Sequence, residues 1–178
     1  MTAESFDAPG WPGIDPTWSS SAKDAVGTSE LASRVWFTIG GGILNVVYWP
    51  RVDRPQIRDL GFIVADDAGF WSEVKRDTEP EISYAQPGIP AVTVVHHHPR
   101  YALRLRICAD NFGDVVRIEA RLEDRRARDD PGRALHPLRL YPLLAPHLGL
   151  SGRSNHAWVD PVGPREGVED VHRLFAGH

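Results

Sequence analysis

The sequence predicts an all-β protein, built as an antiparallel β-sandwich. Short segments of alternating or continuous apolar residues recur along the chain, and clusters of glycine and proline separate them. No segment keeps a 3.6-residue periodicity, and only the short run SELASRV has helical character. Among its 178 residues, 42% are apolar and 25% are charged. This is the composition of a folded domain that can bury a core.

In two neighbouring segments apolar and polar residues alternate so regularly that they predict a β-hairpin. In YALRLRI the apolar residues from Tyr101 to Ile107 face one side and the arginines face the other. In DVVRIEARLED the residues Val116 to Leu122 point inward at every second position. ADNFGD between them predicts a short connection. Further strands are predicted in AVTVVHHH, PLRLYPLLAPHLG, HAWV and VHRLFA.

The segment GGGILNVVYWPRVDRPQIRDLGFIV, from Gly40 to Val64, contains two apolar stretches around a charged centre. The triple glycine lacks the spacing of a dinucleotide-binding loop and predicts a tight turn or a bulge. A strand on a solvated sheet alternates apolar and polar residues, but the first stretch is apolar at both alternate positions. One predicted face carries Leu44, Val46 and Tyr48, and the other carries Ile43, Val47 and Trp49.

Composition excludes several classes of function. The net charge is −4 and the arginines are scattered, so no basic patch indicates a nucleic-acid partner. No apolar run reaches the roughly 20 residues that a membrane-spanning helix needs. The first residues are acidic and rich in proline, unlike a signal peptide, so we expect a cytoplasmic protein. The single cysteine, Cys108, is expected to be a small buried strand residue.

No cofactor or metal is predicted. His96 and His98 share a strand face, a spacing found in metal sites, but no third ligand sits at a companion spacing. The alternative is a strand end that leads into the turn before Pro99, and we favour it. No pair of carboxylates in an apolar setting indicates a catalytic acid and base.

The candidate binding residues are Tyr48, Trp49, Arg51 and Asp53. Sugars are bound by stacking on aromatic rings and by planar charged groups, and this segment supplies both. The alternative is that its arginines and aspartates pair with each other and fix the loop. For Arg58 and Asp59 we predict such a structural pair.

Several motifs together resemble bacterial glucoamylases and glucodextranases of glycoside hydrolase family 15. They are PGIDPTWSSSAKDAVGT, SRVWFTIGGGILNVVYWPRVDRPQIRDLGFIVAD, SEVKRDTE, LYPLLAPHLG and NHAWV, in the family's order. The match lies in the domain that precedes the catalytic barrel. The family usually carries a glutamate where Val46 stands and a tyrosine where Trp49 stands. Val46 therefore removes a hydrogen-bond acceptor, and Trp49 keeps a stacking surface but changes the hydrogen bonding.

The resemblance implies a galactose mutarotase-like β-sandwich that packs on an (α/α)6 barrel. In the family that barrel carries two catalytic glutamates and releases glucose from α-glucans with inversion. The charged segment after Tyr48 would then lie where sandwich and barrel meet, which would also explain strands buried on both faces.

We therefore expect an extended arm over residues 1–20 and a partial N-terminal sandwich over residues 21–178, without the barrel and without catalytic residues. The predicted function is a non-catalytic domain that supports a glucan hydrolase, with an α-glucan or oligosaccharide and the barrel as its partners. The alternatives are a stand-alone carbohydrate-binding module and a truncated, non-functional fragment.

Overall fold

A computed structural model describes residues 4–7, 22–86, 89–126, 136–150, 156–162 and 171–177, and the side chains of 22–86, 89–126 and 136–149. Trp11 and Trp18 of the predicted arm lie outside these residues. The strands are β1 (Glu4–Asp7), β2 (Ala25–Thr28), β3 (Trp36–Gly40), β4 (Ile43–Tyr48), β5 (Pro55–Ala65), β6 (Trp71–Glu73), β7 (Glu79–Gln86), β8 (Ile89–His98), β9 (Tyr101–Ala109), β10 (Val116–Asp124), β11 (Arg139–Pro146), β12 (His156–Val162) and β13 (Val171–Gly177).

In the described part of the chain the strands form three sheets, and every pair within them is antiparallel. The large sheet has the order β11-β5-β4-β3-β2, with β6 also paired to β5. The second sheet has the order β10-β9-β8-β7, and a small sheet has the order β1-β12-β13. The large sheet and the four-stranded sheet face each other, which confirms the predicted antiparallel β-sandwich.

One apolar core lies between these two sheets. Phe37, Leu44 and Val64 enter it from the large sheet, and Leu103 and Leu105 from the four-stranded sheet, each at most 2% exposed. Each such side chain contributes roughly 1.5–3 kcal/mol by leaving water. The predicted inward face of β9 is therefore confirmed, since its alternate residues belong to this core.

A polar contact crosses the core, and another closes the sandwich at its edge. The hydroxyl groups of Ser72 and Tyr101 lie 2.8 Å apart although both residues are buried, so Tyr101 hydrogen-bonds across the two sheets. At the edge, the Tyr84 hydroxyl of β7 hydrogen-bonds both to the backbone N–H and to the carbonyl of Val26 in β2, each at 3.3 Å.

The hairpin between β3 and β4 confirms a tight turn at the triple glycine. Gly41 and Gly42 both have positive φ angles, 59° and 77°, as a two-residue type I′ turn requires. A Cβ atom on Gly42 would lie 2.6 Å from atoms of His96 and of Pro80, so only glycine fits there. The buried His96 ring then donates a 2.9 Å hydrogen bond from Nε2 to the Gly42 carbonyl, which ties β8 to this turn.

The predicted assignment of the β4 side chains to the two faces of the sheet is wrong after Leu44. A β-bulge shifts the alternation there. Leu44 pairs with Ile39 and Val47 with Phe37, so two residues of β4 oppose the single Thr38 of β3. The extra residue lies in a left-handed conformation, with a φ of 76° at Val46, which is rare for a β-branched side chain. Leu44 and Val47 consequently both face the core.

The predicted helix at SELASRV is absent. The Ser29 hydroxyl accepts a 2.9 Å bond from the Leu31 N–H, and the Ala32 N–H bonds to the Asn111 carbonyl at 2.9 Å. These contacts compete with helical hydrogen bonds. A one-turn helix, α1, instead spans Val74–Asp77. No helix in the described part of the chain is long and apolar enough to cross a membrane.

Arg126 joins the two sheets where β5 and β10 end. Its guanidinium bonds to Asp66, directly after β5, at 2.6 Å, and to Asp124, the last residue of β10, at 2.8 Å. Its side chain is only 12% exposed, so this is not a freely solvated ion pair. Burial acts to raise the pKa of Asp66, but backbone N–H groups of the next turn and the guanidinium together hold it below its usual value.

We predict that Arg126→Ala lowers the free energy of unfolding by roughly 3 kcal/mol, because it leaves the buried Asp66 carboxylate and the partly exposed Asp124 carboxylate without their cation. Arg139→Ala is the matched control, since the 2.7 Å pair of Arg139 with Asp67 has both side chains 52% exposed. The control should lose less than about 1 kcal/mol. Urea denaturation measures both, and equal losses would show that Arg126 contributes no more than a surface pair.

Candidate functional site

The predicted binding residues lie at the end of β4 and in the loop of residues 49–54 that follows, which we call the β4–β5 loop. The Trp49 N–H donates to the Arg54 carbonyl at 3.0 Å, and the Arg54 N–H donates to the Arg51 carbonyl at 3.0 Å. The bond between Trp49 and Pro50 is cis. The Gln56 side chain also donates to the Trp49 carbonyl, at 3.1 Å. These backbone contacts define the loop's path.

Arg51 and Asp53 form an exposed ion pair at the tip of this loop. Arg51 Nε lies 3.0 Å from Asp53 Oδ1, and the side chains are 73% and 59% exposed. A pair so open to water contributes little to stability. Both groups can therefore exchange this bond for one to a ligand or to a neighbouring domain at low cost.

Trp49 is engaged by two residues from other loops. Its indole N–H donates to Asp114 Oδ2 at 2.7 Å, and the Arg34 guanidinium lies 5.3 Å from the indole centre, within reach of a cation–π interaction. Arg34 in turn bonds to Asp114 at 2.5 Å. We call these three residues the Trp49 cluster; it connects the β2–β3, β4–β5 and β9–β10 loops.

The Trp49 cluster stabilises the charged form of Asp114. The Arg34 side chain, then the Arg34 backbone N–H and the Trp49 indole N–H, hold the pKa of Asp114 well below its ordinary value of 3.8. Because this pKa is lower in the folded than in the unfolded chain, the stabilisation is complete above about pH 4. It is lost as the pH falls through the folded-state pKa.

The four predicted residues do not converge on one site. Tyr48 pairs in register with Trp36, whose neighbour Phe37 faces the core, so Tyr48 lies on the outer side of the large sheet. Trp49 turns toward the β9–β10 loop, and Arg51 extends into solvent. The structure instead brings Trp49 together with Arg34 and Asp114, which were not among the predicted binding residues.

Polar residues cover the outer side of β4. Asn45 is fully buried, and its amide donates to Asp59 Oδ1 at 2.7 Å while it also bonds to Lys23. The predicted pairing of Arg58 with Asp59 is confirmed, with Nε 2.9 Å from Oδ2. This network explains how β4 is buried on both sides within this chain.

The apolar part of that outer side lies farther along the large sheet. Tyr141 of β11 pairs with Ile63 of β5, Leu143 pairs with Gly61, and Trp71 of β6 pairs with Ala65. Trp71 is 67% exposed, and Tyr141 and Leu143 are each 45% exposed. We call Trp71, Tyr141, Leu143 and Ile63 the outer apolar face.

His96 and His98 make contacts that stabilise the fold. Both ring nitrogens of His96 have protein partners, since Nδ1 lies 2.8 Å from the Thr78 hydroxyl and Nε2 bonds to Gly42. Burial lowers the pKa of His96, which favours the neutral form of its ring. His98 stacks on Tyr101 with ring centres 4.5 Å apart. Among the residues whose side chains are described, no three metal-binding side chains lie together.

Known proteins are similar to this chain in sequence and in architecture. A family model described as "Glucodextranase, domain N" matches residues 8–168. A glucoamylase from Clostridium sp. (strain G0005) is 29% identical over an alignment of 153 residues, which covers 83% of this chain and 21% of that protein. A crystal structure of a bacterial glucoamylase complexed with acarbose matches with a TM-score of 0.78 at 23% identity, over 99% of this chain and 26% of that chain.

The fold thus defines a β-sandwich domain of the kind present in a bacterial glucoamylase. The chain belongs to the glucodextranase domain N family, which confirms the resemblance seen in its motifs. It spans about a fifth of the length of the curated glucoamylase that it matches.

We predict that Trp49→Ala lowers the free energy of unfolding at pH 7 measurably more than Trp71→Ala does, because a charge-assisted hydrogen bond and a cation–π contact are lost. Trp71→Ala removes a more exposed indole from the same sheet and should change stability by less than about 0.5 kcal/mol. The difference should shrink only as the pH falls through the lowered folded-state pKa of Asp114, where its carboxylate takes up a proton. Thermal unfolding across that range measures it, and two variants of equal stability at pH 7 would contradict the assigned contacts.

Proposed function

We propose that this chain is a non-catalytic sandwich domain of a glucoamylase-like α-glucan hydrolase, and that it packs on and supports a catalytic (α/α)6 barrel. The observation that carries this proposal is the domain N match over residues 8–168. The 21% share of the related glucoamylase is consistent with it, because most of that enzyme lies outside the matched segment.

The carboxylates support a non-catalytic role. Every described carboxyl group with a shifted pKa is shifted downward, and each is bonded to an arginine: Asp66, Asp110, Asp114 and Asp124. The general acid of a glycosidase needs the opposite, a pKa raised by apolar surroundings. The contacts of these carboxyl groups stabilise their ionised form and hold loops in place.

The outer apolar face is the surface that we assign to the barrel. Its aromatic and aliphatic side chains stand on three paired strands, β6, β5 and β11. Exposed apolar side chains clustered on one face mark protein contacts. Tyr141 and Trp71 also carry a hydroxyl and an indole N–H, polar groups that interfaces between domains commonly use.

A chimera tests this assignment. The matching 153-residue segment of the Clostridium glucoamylase is replaced by this chain. We expect the chimera to release glucose from starch, while the isolated chain releases none. The double variant Trp71→Ser/Leu143→Ser should lower the melting temperature of the chimera by about 4 °C or more, because roughly 2 kcal/mol of apolar contact is lost.

The same double variant should leave the melting temperature of the isolated chain unchanged. Leu31→Ser/Val115→Ser is the control, since these residues are 60% and 49% exposed outside the outer apolar face. If both double variants alter the chimera equally, the assigned face is wrong. Glucose release by the isolated chain, abolished by changing one of its own carboxylates, would contradict the non-catalytic role itself.

We also propose that the β4–β5 loop lies at the mouth of the active site in the complete enzyme, with Tyr48, Trp49, Arg51 and Asp53 near the substrate. The exposed, weakly stabilising pair of Arg51 and Asp53 supports this placement, because it leaves planar charged groups available to sugar hydroxyls. Trp49 contributes by fixing the loop, through its bond to Asp114.

In the active chimera, Arg51→Ala should lower kcat/KM by about tenfold, the cost of one charge-assisted hydrogen bond, with little change in melting temperature. Arg121→Ala, which removes an exposed arginine from β10, is the control and should have no effect on either quantity. Unchanged kinetics for Arg51→Ala would show that the loop contacts only the barrel.

A further inference from the structure

An open cleft of about 400 Å³ lies beside the β9–β10 loop, residues 110–115. Its walls come from the end of β2, the start of β8 and the end of β9. Prominent lining residues are Glu30, Arg106, Cys108, Asn111, Phe112 and Arg117. The predicted binding residues lie outside it, although the Trp49 cluster holds the same loop through Asp114.

Phe112 projects from this loop with 78% of its surface exposed. Hydrogen bonds nevertheless fix the backbone of this loop. The Asp110 carboxylate accepts the N–H groups of Phe112 at 2.9 Å and Gly113 at 2.8 Å, and the Asn111 carbonyl accepts the Ala32 N–H at 2.9 Å. An aromatic ring held in water by a braced loop is ready for a ligand, because little freedom remains to be lost on binding.

The lining of the cleft is balanced in charge. Glu30 and Asp110 oppose Arg106 and Arg117, and Arg117 Nη2 lies 2.6 Å from Asp110 Oδ2. Such a lining does not favour an ion, but it offers both donors and acceptors. Together with an exposed ring, these groups match a neutral ligand that has one apolar surface and many hydroxyl groups. A pyranose ring has this chemistry.

We propose that this cleft binds a neutral oligosaccharide, with a sugar ring stacked on Phe112 and hydroxyl groups bonded to Arg106, Glu30 and Asn111. The site is separate from the β4–β5 loop and from the outer apolar face. The choice of an α-glucan as its ligand rests on the function proposed above, whereas the cleft's affinity for a neutral sugar rests on its own residues.

Cys108 provides a reporter for the location. It is partly exposed in this cleft rather than buried as the sequence suggested, because it shares the outward side of β9 with Arg104 and Arg106. As the only cysteine of the chain, it can be modified selectively by a maleimide. A sugar in the cleft should slow that modification.

The test titrates the chain with maltoheptaose by calorimetry. Phe112→Ala should weaken binding about tenfold without changing the melting temperature, whereas Phe112→Trp should retain or strengthen it. Trp71→Ala, which removes another largely exposed ring elsewhere, should bind like the original chain. Saturating maltoheptaose should slow maleimide modification of Cys108 in the original chain and not in Phe112→Ala.

Equal affinity of Phe112→Ala and the original chain, or unprotected Cys108 at saturation, would overturn the proposal. So would failure of every neutral oligosaccharide to bind while Phe112→Ala destabilises the chimera, since the ring would then be a protein contact. If cellohexaose binds through Phe112 and maltoheptaose does not, the cleft stands as a sugar site, and the proposed α-glucan function is contradicted.

Discussion

Arginine–carboxylate contacts at both ends of β5 and β10 hold the two sheets in their relative alignment. An apolar core favours any arrangement that buries the same surface, because the hydrophobic effect has no direction. Hydrogen-bonded ions do have direction. Trp49, Arg34 and Asp114 connect the sheets where these strands begin, and Arg126 connects Asp66 with Asp124 where they end. The core supplies most of the stability, and these clusters determine how the sheets lie.

This alignment links the candidate surfaces to the fold. The β4–β5 loop and the β9–β10 loop meet through Asp114, so whatever orients one also orients the other. The outer apolar face depends on β5 in a different way, because β5 pairs with β11 and β6 and brings their exposed side chains to one side. In the supporting role proposed above, such fixed surfaces matter more than reactive groups.

The sequence predicted the local patterns and missed what depends on distant residues. The alternation of β9 and the pairing of Arg58 with its neighbour Asp59 are local, and both were predicted correctly. The faces of β4 were not, since the bulge at Val46 leaves no sign in the residue pattern. Trp49 and its acceptor Asp114 are 65 positions apart, so the role of this aspartate could not be read from the chain.

The two hydrogen bonds between the Tyr84 hydroxyl and the Val26 backbone oppose aggregation of the protein. Among the described strands β2 is the last in the order of the large sheet, and a strand in that position can recruit the strand of another molecule. Here one phenol occupies both the donor and the acceptor of Val26, so that an incoming strand would have to displace it. A single side chain thereby ends a sheet that could otherwise continue into a neighbouring molecule.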